Sequence, residues 1–189
     1  MSFFSMPNPA AARRLFLGRS GLVLSGAAVA LLAGNPRLAA AADPATTTDA
    51  QILNTALGAE LEAIAAYQLG AESKLLQKPA LDLALAFQGH HKEHAELLAK
   101  TVEKLGGKPV AARAKYDFPV AQLKAQADVL RFAAKLEQGA VSAYLGAVPL
   151  FGNRDLAKAA ASILGDEAMH WAILRQALGE TPVPGAFVS

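Results

Sequence analysis

Acidic and imidazole side chains occur at matching positions in two similar segments of this chain. The segment Glu60-Leu-Glu-Ala-Ile-Ala-Ala-Tyr67 resembles Glu137-Gln-Gly-Ala-Val-Ser-Ala-Tyr144. Each is followed, at a similar separation, by a group with x-x-x-His spacing: His91-Lys-Glu-His94 and Glu167-Ala-Met-His170. Residues three apart share one face of an α-helix, so each group places two such side chains together. Carboxylates and imidazoles together are typical ligands of transition metals, and the repeat therefore indicates a metal site.

The predicted metal ligands occupy positions that an apolar core would otherwise fill. On four predicted helices they interrupt stripes of apolar residues that recur every three to four positions. Buried carboxylates without partners would each cost several kcal/mol, and a bound cation supplies the partner. No catalytic residue beyond the ligands is predicted, and no motif for an organic cofactor occurs. The predicted metal ligands are Glu60, His91, His94, Glu137, Glu167 and His170.

Several polar residues near the predicted ligands could either support the metal site or serve only the fold. Tyr67 and Tyr144 lie two turns after the glutamates, where they suit either core packing with a bonded hydroxyl or support of the metal ligands. Gln88, one turn before His91, is predicted to orient an imidazole or a water molecule. The polar residues beside the second group are predicted to form a solvated face. These are His90, Lys92, Glu93 and Glu96.

Four long helices are predicted to position these side chains. Their start signals are caps such as Asn153 and a first-turn proline, Pro79, and their stop signals are Gly106, Pro149 and Gly179. Short first and third links with a long second link are typical of an all-α, antiparallel four-helix bundle with one long crossover between the second and third helices. The predicted helices are about 48–73, 79–105, 120–148 and 153–178.

Residues 1–42 are predicted to be an export signal rather than part of the fold. They contain the twin-arginine signature Ala12-Arg-Arg-Leu-Phe-Leu-Gly18, then an apolar run over 21–33 and a small-residue cleavage site at Ala40-Ala-Ala42. The run is too short for the roughly 30 Å hydrocarbon core of a membrane, although an uncleaved N-terminal anchor is an alternative. The expected location is the periplasm, reached through the twin-arginine translocation machinery, with 43–189 as the folded domain.

Charge and composition exclude several classes of function. Residues 43–189 contain all 16 acidic residues but only 14 of the 18 lysines and arginines, which leaves a net charge of −2. A nucleic-acid partner is not expected without a basic surplus. The sequence has no cysteine, which excludes disulfides, thiolate metal sites and cysteine nucleophiles. The remaining basic residues lie within the predicted signal, at Arg13, Arg14, Arg19 and Arg37.

On these residues, the sequence resembles the ferritin-like superfamily of di-iron or di-manganese carboxylate bundles. It looks most like exported bacterial ferritin-like domain proteins, over about residues 48–178. Such bundles place one glutamate on each of two helices and Glu-x-x-His on each of the other two. The resemblance implies that Glu60 and Glu137 are the single glutamates and that Glu167 and His170 form one complete motif.

The second helix departs from the family pattern at His91, where the resemblance implies a metal-bridging glutamate. His94 is then the usual histidine of that motif. A single imidazole nitrogen cannot bridge two ions as a carboxylate does. One well-held ion, or two ions joined by Glu167 and solvent, are both allowed. Iron, as one or two ions, is the expected metal; manganese is an alternative, and the additional imidazole also suits zinc or copper.

The function implied by this resemblance is redox chemistry of iron or manganese with dioxygen or peroxide. Ferroxidase, peroxidase and catalase-like activities all fit the pattern. The alternative is a non-enzymatic, stress-related or metal-sequestering protein. Its core would hold a structural metal, or a metal-free polar layer closed by hydrogen bonds and ion pairs. A homo-oligomer is compatible with either function.

Overall fold

Four long α-helices make up most of the computed structural model, which describes residues 48–188. Within this range there is no strand. Helices α1 and α2 form one hairpin, α3 and α4 form a second, and a long crossover joins α2 to α3. This architecture confirms the predicted all-α four-helix bundle with one long crossover. The helices are α1 (Thr48–Glu72), α2 (Lys78–Lys104), α3 (Gln126–Ala147) and α4 (Arg154–Ala177).

The ends of α2 and α4 follow the predicted capping signals. Proline occupies the first turn of α2, where its missing N–H costs nothing. The Asn153 side chain accepts a 2.8 Å hydrogen bond from the backbone N–H of Asp155 and so caps α4. Gly106 and Gly179 follow α2 and α4 with φ of 78° and 75°, the left-handed conformation that ends a helix and favours glycine.

The third helix begins at Gln126 rather than at Val120, so the predicted start was wrong. Val120 instead opens a single 3-10 turn. The Asp128 carboxylate fixes the later start, because its Oδ2 accepts from the backbone N–H groups of Lys124 at 3.1 Å and Ala125 at 2.9 Å. These bonds satisfy amides that precede the first turn, as a capping box does.

Side-chain hydrogen bonds attach the connecting segments to α1. The Asn54 amide donates to Lys108 O at 2.7 Å and accepts from Val110 N at 2.8 Å, which fixes the beginning of the crossover. The Asp49 carboxylate accepts from the backbone N–H groups of Gly152 and Asn153 at 2.8 and 2.9 Å. The two helical hairpins are thereby joined at one end of the bundle.

A layer of buried polar side chains separates two apolar clusters inside the bundle. One cluster includes Leu57, Leu98 and Ile163, and the other includes Phe87 and Leu174. The polar layer lies between them because each helix carries its ionisable residues near its middle. Within residues 48–188, no helix combines the length and apolarity needed to cross a membrane.

Candidate metal centre

The six residues predicted as metal ligands converge in the buried polar layer. Helices α1 and α3 contribute one residue each, and α2 and α4 contribute two each. Five of the six are at most 3% exposed, and the His94 side chain is 14% exposed. Their donor atoms form two groups. The six residues are Glu60, His91, His94, Glu137, Glu167 and His170.

The first group joins α1, α2 and α4. His91 Nδ1 lies 2.8 Å from Glu60 Oε2. His94 Nδ1 lies 3.1 Å from Glu167 Oε1 and 3.6 Å from Glu60 Oε2. Four ligand atoms held about 2.1 Å from one ion in a tetrahedron are roughly 3.4 Å apart. The spacing of this group therefore suits a single ion.

The second group joins α2, α3 and α4. His91 Nε2 lies 3.3 Å from Glu137 Oε1. His170 Nδ1 lies 3.4 Å from both Glu137 Oε1 and Glu167 Oε2. These separations are also those of ligand atoms around one ion.

Two residues belong to both groups, and each presents a different atom to each group. Glu167 directs Oε1 toward His94 and Oε2 toward His170. His91 directs Nδ1 toward Glu60 and Nε2 toward Glu137. The imidazole thus reaches both groups through two different nitrogens. The prediction from the sequence allowed for one nitrogen and so did not include this geometry.

Among residues 48–188, four buried polar atoms in this layer have no hydrogen-bond partner: His94 Nδ1, His170 Nδ1 and both carboxylate oxygens of Glu167. The His94 Nδ1 atom approaches Glu167 at 3.1 Å without hydrogen-bond geometry. Unpartnered buried polar atoms are rare in folded proteins because each costs about 1–3 kcal/mol or more. All four atoms belong to predicted ligands, and a cation bound in each group would satisfy them. The residues present therefore fit a metal ion.

Two buried tyrosines support the glutamates from the opposite helix. Tyr67 on α1 donates its O–H to Glu137 on α3. Tyr144 on α3 donates to Glu60 on α1 at 2.6 Å. Burial first, and then the adjacent carboxylates, raise the pKa of both phenols well above the usual value. Both tyrosines therefore remain hydrogen-bond donors at neutral pH.

His91 acts as a cation between the glutamates of the metal-free layer. Burial by itself would lower the pKa of this histidine, but the hydrogen bonds to Glu137 and Glu60 outweigh burial and raise the pKa to about 11. Burial likewise disfavours the charged form of Glu137, yet the contacts with His170 and His91 lower its pKa. A charged imidazole thus balances buried carboxylates when no ion is present.

The other two histidines of the layer are also held in the protonated form. Burial opposes this, but close contacts with Glu167 and Glu60 raise the pKa of His94 to about 9. Contacts with Glu137 and Glu167 raise the pKa of His170 to about 9 against the same opposing effect. An ion that binds these nitrogens must therefore displace protons.

The structure adds two residues that the sequence did not assign to the site. His90 is 47% exposed, as predicted for a solvated face. Its Nδ1 nevertheless lies 2.9 Å from His170 Nε2. Asp166 Oδ2 lies 3.3 Å from the same His170 nitrogen. The i, i+4 spacing of Asp166 and His170 was the sequence signal that could have revealed this contact.

Gln88 does not orient an imidazole, which was one of its two predicted roles. Its amide donates to Ile64 O at 3.0 Å and to Gln68 Oε1 at 2.9 Å. Its oxygen accepts from Lys92 Nζ at 2.8 Å. The side chain therefore links α2 to α1 and makes no hydrogen bond to an imidazole, since its one-turn offset from His91 places it beside the α1 backbone.

An apolar cavity of about 40 Å³ lies between α1 and α3 and reaches the polar layer. Glu60, His91 and Glu137 of the polar layer are among the residues that line it. Small side chains let the two helices leave this space open. The alanines that line it are Ala56, Ala59, Ala63, Ala140, Ala143 and Ala147.

The sequence matches the ferritin-like domain family over residues 48–180. The chain belongs to the ferritin-like domain family. The structure is similar to the crystal structure of a conserved hypothetical protein from Mycobacterium tuberculosis, with a TM-score of 0.64 and 24% sequence identity. The similarity covers 74% of this chain and 96% of that chain, and it shows a shared fold. No match was found among curated proteins.

Proposed function

We propose that this ferritin-like protein binds iron in its polar layer, with one ion in each donor group, and catalyses redox chemistry with dioxygen or peroxide. The observation that supports this proposal is the convergence of six ligand-type residues from four helices. Four buried atoms of these residues have no hydrogen-bond partner among the described residues. Imidazole nitrogen and carboxylate oxygen together suit iron, and also manganese or zinc.

The protein's own residues would hold and orient the ions. Glu60 and His94 would complete the first group, and Glu137 and His170 the second, with Glu167 offering one oxygen to each. The tyrosine hydrogen bonds hold Glu60 and Glu137 in orientation. Bound iron would supply one-electron chemistry and an open coordination position for an oxidant.

The cavity between α1 and α3 supports a small, uncharged oxidant as the partner. Alanine is the most frequent residue in its lining, which also includes Glu60 and Glu137. An apolar passage favours dioxygen over a charged substrate because it cannot replace the hydration of an ion. The apolar clusters on both sides of the polar layer exclude bulk water from the site.

Export through the twin-arginine pathway is part of this proposal. The motif, including Arg13 and Arg14, lies in the sequence outside the described residues. That pathway carries folded proteins, which suits a metal site filled before export. Replacing both arginines by lysine should retain the protein in the cytoplasm with an unprocessed N-terminus. Periplasmic recovery of the variant, with its N-terminus processed as in the unchanged protein, would contradict this route.

A non-enzymatic role is the second candidate, and the position of His91 favours it. The ring lies between Glu60 and Glu137, at 2.8 and 3.3 Å, and compensates part of their charge without a metal. In this alternative the layer is a metal-free polar core, or six protein ligands enclose a structural or sequestered ion and leave no reactive position.

Elemental analysis of protein purified from its own host tests the first proposal. Glu167→Ala removes the only carboxylate shared by the two donor groups, whereas Glu93→Ala removes an exposed carboxylate from α2. We expect up to two equivalents of iron or manganese in the unchanged protein and in Glu93→Ala. We expect loss of most of this metal in Glu167→Ala.

Oxygen consumption after addition of ferrous iron then separates the two functions. Consumption above the buffer rate, abolished in Glu167→Ala and retained in Glu93→Ala, supports the redox function. Bound metal without oxygen or peroxide turnover supports the non-enzymatic function. Absence of metal from all three folded proteins, even after ferrous iron is supplied, would refute both the metal centre and its redox chemistry.

A further inference from the structure

A second cluster of ligand-type atoms lies at the surface end of the polar layer, between α2 and α4. His90 Nδ1 and His170 Nε2 are 2.9 Å apart. Asp166 Oδ2 lies 3.3 Å from each of them. Three donor atoms at these mutual distances can contact one ion with ordinary nitrogen and oxygen bond lengths of about 2.0–2.2 Å.

We propose that His90, Asp166 and His170 form a separate surface site for a divalent transition-metal ion. Two imidazoles and one carboxylate suit zinc, cobalt or ferrous iron rather than calcium or magnesium, which prefer oxygen ligands alone. None of the assigned inner ligands except His170 takes part. Occupation of this site does not depend on redox chemistry in the inner centre.

The distances from Asp166 to the neighbouring imidazoles fit ligands of a shared ion better than they fit hydrogen bonds. Its Oδ2 is approached by His90 Nδ1 and His170 Nε2 at 3.3 Å and by His94 Nε2 at 3.4 Å. Charge-assisted hydrogen bonds to a carboxylate are usually about 2.7–2.9 Å long. His90 and His170 lie farther from this oxygen than such hydrogen bonds would place them, at the separation expected of neighbouring ligand atoms around one ion.

The rings of this surface cluster are held in place by packing. Phe87 stacks on His170 with ring centroids 4.0 Å apart. The His90 and His170 rings also stack, at 5.1 Å and an interplanar angle of 24°. Because α2 and α4 fix these rings, little side-chain entropy remains to be lost when an ion binds.

The exposure of His90 and Asp166 makes the cluster accessible from solvent, whereas His170 is its buried member. His90 is 47% exposed, Asp166 is 24% exposed and His170 is 2% exposed. Three protein ligands leave further coordination positions for water, as is typical of exchangeable sites. His170 presents Nε2 to this cluster and Nδ1 to the inner centre. The surface site therefore lies next to the inner site and shares His170 with it.

Equilibrium dialysis with Co²⁺, combined with its visible absorption, tests the surface site in the full chain. The variants are His90→Ala and Asp166→Asn, and Glu93→Gln is the control because it changes an exposed side chain on the same helix as His90. The same measurements are repeated in a Glu60→Gln/Glu137→Gln background, which weakens the inner groups and leaves all three surface ligands. Circular dichroism verifies that every variant is folded.

We expect His90→Ala and Asp166→Asn to lose one Co²⁺ equivalent, or to bind it at least tenfold more weakly, in both backgrounds. Glu93→Gln should bind as the unchanged protein does. Equal stoichiometry and affinity with and without His90 would refute the surface site. A different result would show that the inner groups bind no metal. In that case Glu60→Gln/Glu137→Gln would bind as much Co²⁺ as the unchanged protein.

Discussion

The two buried tyrosines show how one hydrogen bond can orient a ligand from the opposite helix. Tyr144 donates to Glu60 at 2.6 Å, and Tyr67 donates to Glu137. Each bond joins α1 to α3, so the repeated Glu and Tyr positions in the sequence become a reciprocal pair in the fold. The sequence placed the phenols near the ligands but left their role open, because the partner of each lies on the other hairpin.

Tyr144→Phe should lower the free energy of unfolding by about 1.5–3 kcal/mol, since it removes a hydrogen bond to a buried carboxylate. Urea denaturation of metal-free protein measures the change. Tyr116→Phe is the control, because the Tyr116 hydroxyl accepts one longer bond, 3.2 Å, from Arg113 N in an exposed segment. Equal, small changes in both variants would show that the Glu60 contact contributes little.

His91→Glu should destabilise the metal-free protein and increase the stabilisation that metal provides. The change replaces a buried cation by a carboxylate beside Glu60 and Glu137. Loss of a buried charge partner costs about 3–5 kcal/mol. Melting temperatures with chelator and with added ferrous iron, kept anaerobic, measure both effects.

Lys158→Glu is the matched control for His91→Glu, because it introduces the same charge on the exposed face of α4. It should change neither the melting temperature of the metal-free protein nor the increase with iron by more than a few degrees. An unchanged metal-free melting temperature in His91→Glu would contradict the role of His91 as an internal cation.

At the scale of elements, the start of α3 depends on one carboxylate. Asp128 accepts from Lys124 N and Ala125 N, and this sets the start at Gln126. Periodicity of apolar residues could not find this boundary, because apolar residues also recur upstream, at Val120, Ala121 and Leu123. Local capping decided the start, whereas the spacing of apolar residues in the helix fits its buried face, which includes Leu130, Ala133 and Tyr144.

Asp128→Ala should lower the free energy of unfolding by about 1 kcal/mol, the usual contribution of a helix cap. Asp82→Ala is the control. The one ion pair of Asp82 within the described part of the chain is an exposed i, i+4 pair with Lys78, worth about 0.3–0.5 kcal/mol. Urea denaturation of both variants makes the comparison. A smaller loss in Asp128→Ala than in the control would contradict the capping role.

At the scale of the whole molecule, the buried ionisable layer links folding to pH. The pKa values of His94 and His170 rise from 6.5 to about 9, and that of His91 rises to about 11. A group whose pKa is raised by folding stabilises the protein fully below its unfolded value and loses this contribution as pH rises through the folded value. The lowered pKa of Glu137 adds stability that is lost only as pH falls into the acid range.

The metal-free protein should therefore become less stable as pH rises from about 6.5 toward 9 and beyond. The metal-loaded protein should gain relative to it over the same range, because ions compete with fewer protons for the nitrogens. Urea denaturation at pH 6.5 and pH 9, with chelator and with metal, measures both trends. Metal-free stability that is unchanged or higher at pH 9 would contradict the protonated state of the three histidines.

The amino-acid sequence by itself determined the helical bundle, its long crossover and the six residues of the inner layer. These follow from local periodicity, turn residues and an internal repeat, all of which act within one helix or hairpin. Tertiary structure decided which atoms face one another: the shared Glu167 oxygens, the two nitrogens of His91 and the tyrosine pairs. It also decided that His90 and Asp166 meet His170 at the surface. Such contacts depend on the rotation and offset of helices distant in sequence, which packing fixes and a single helix pattern does not contain.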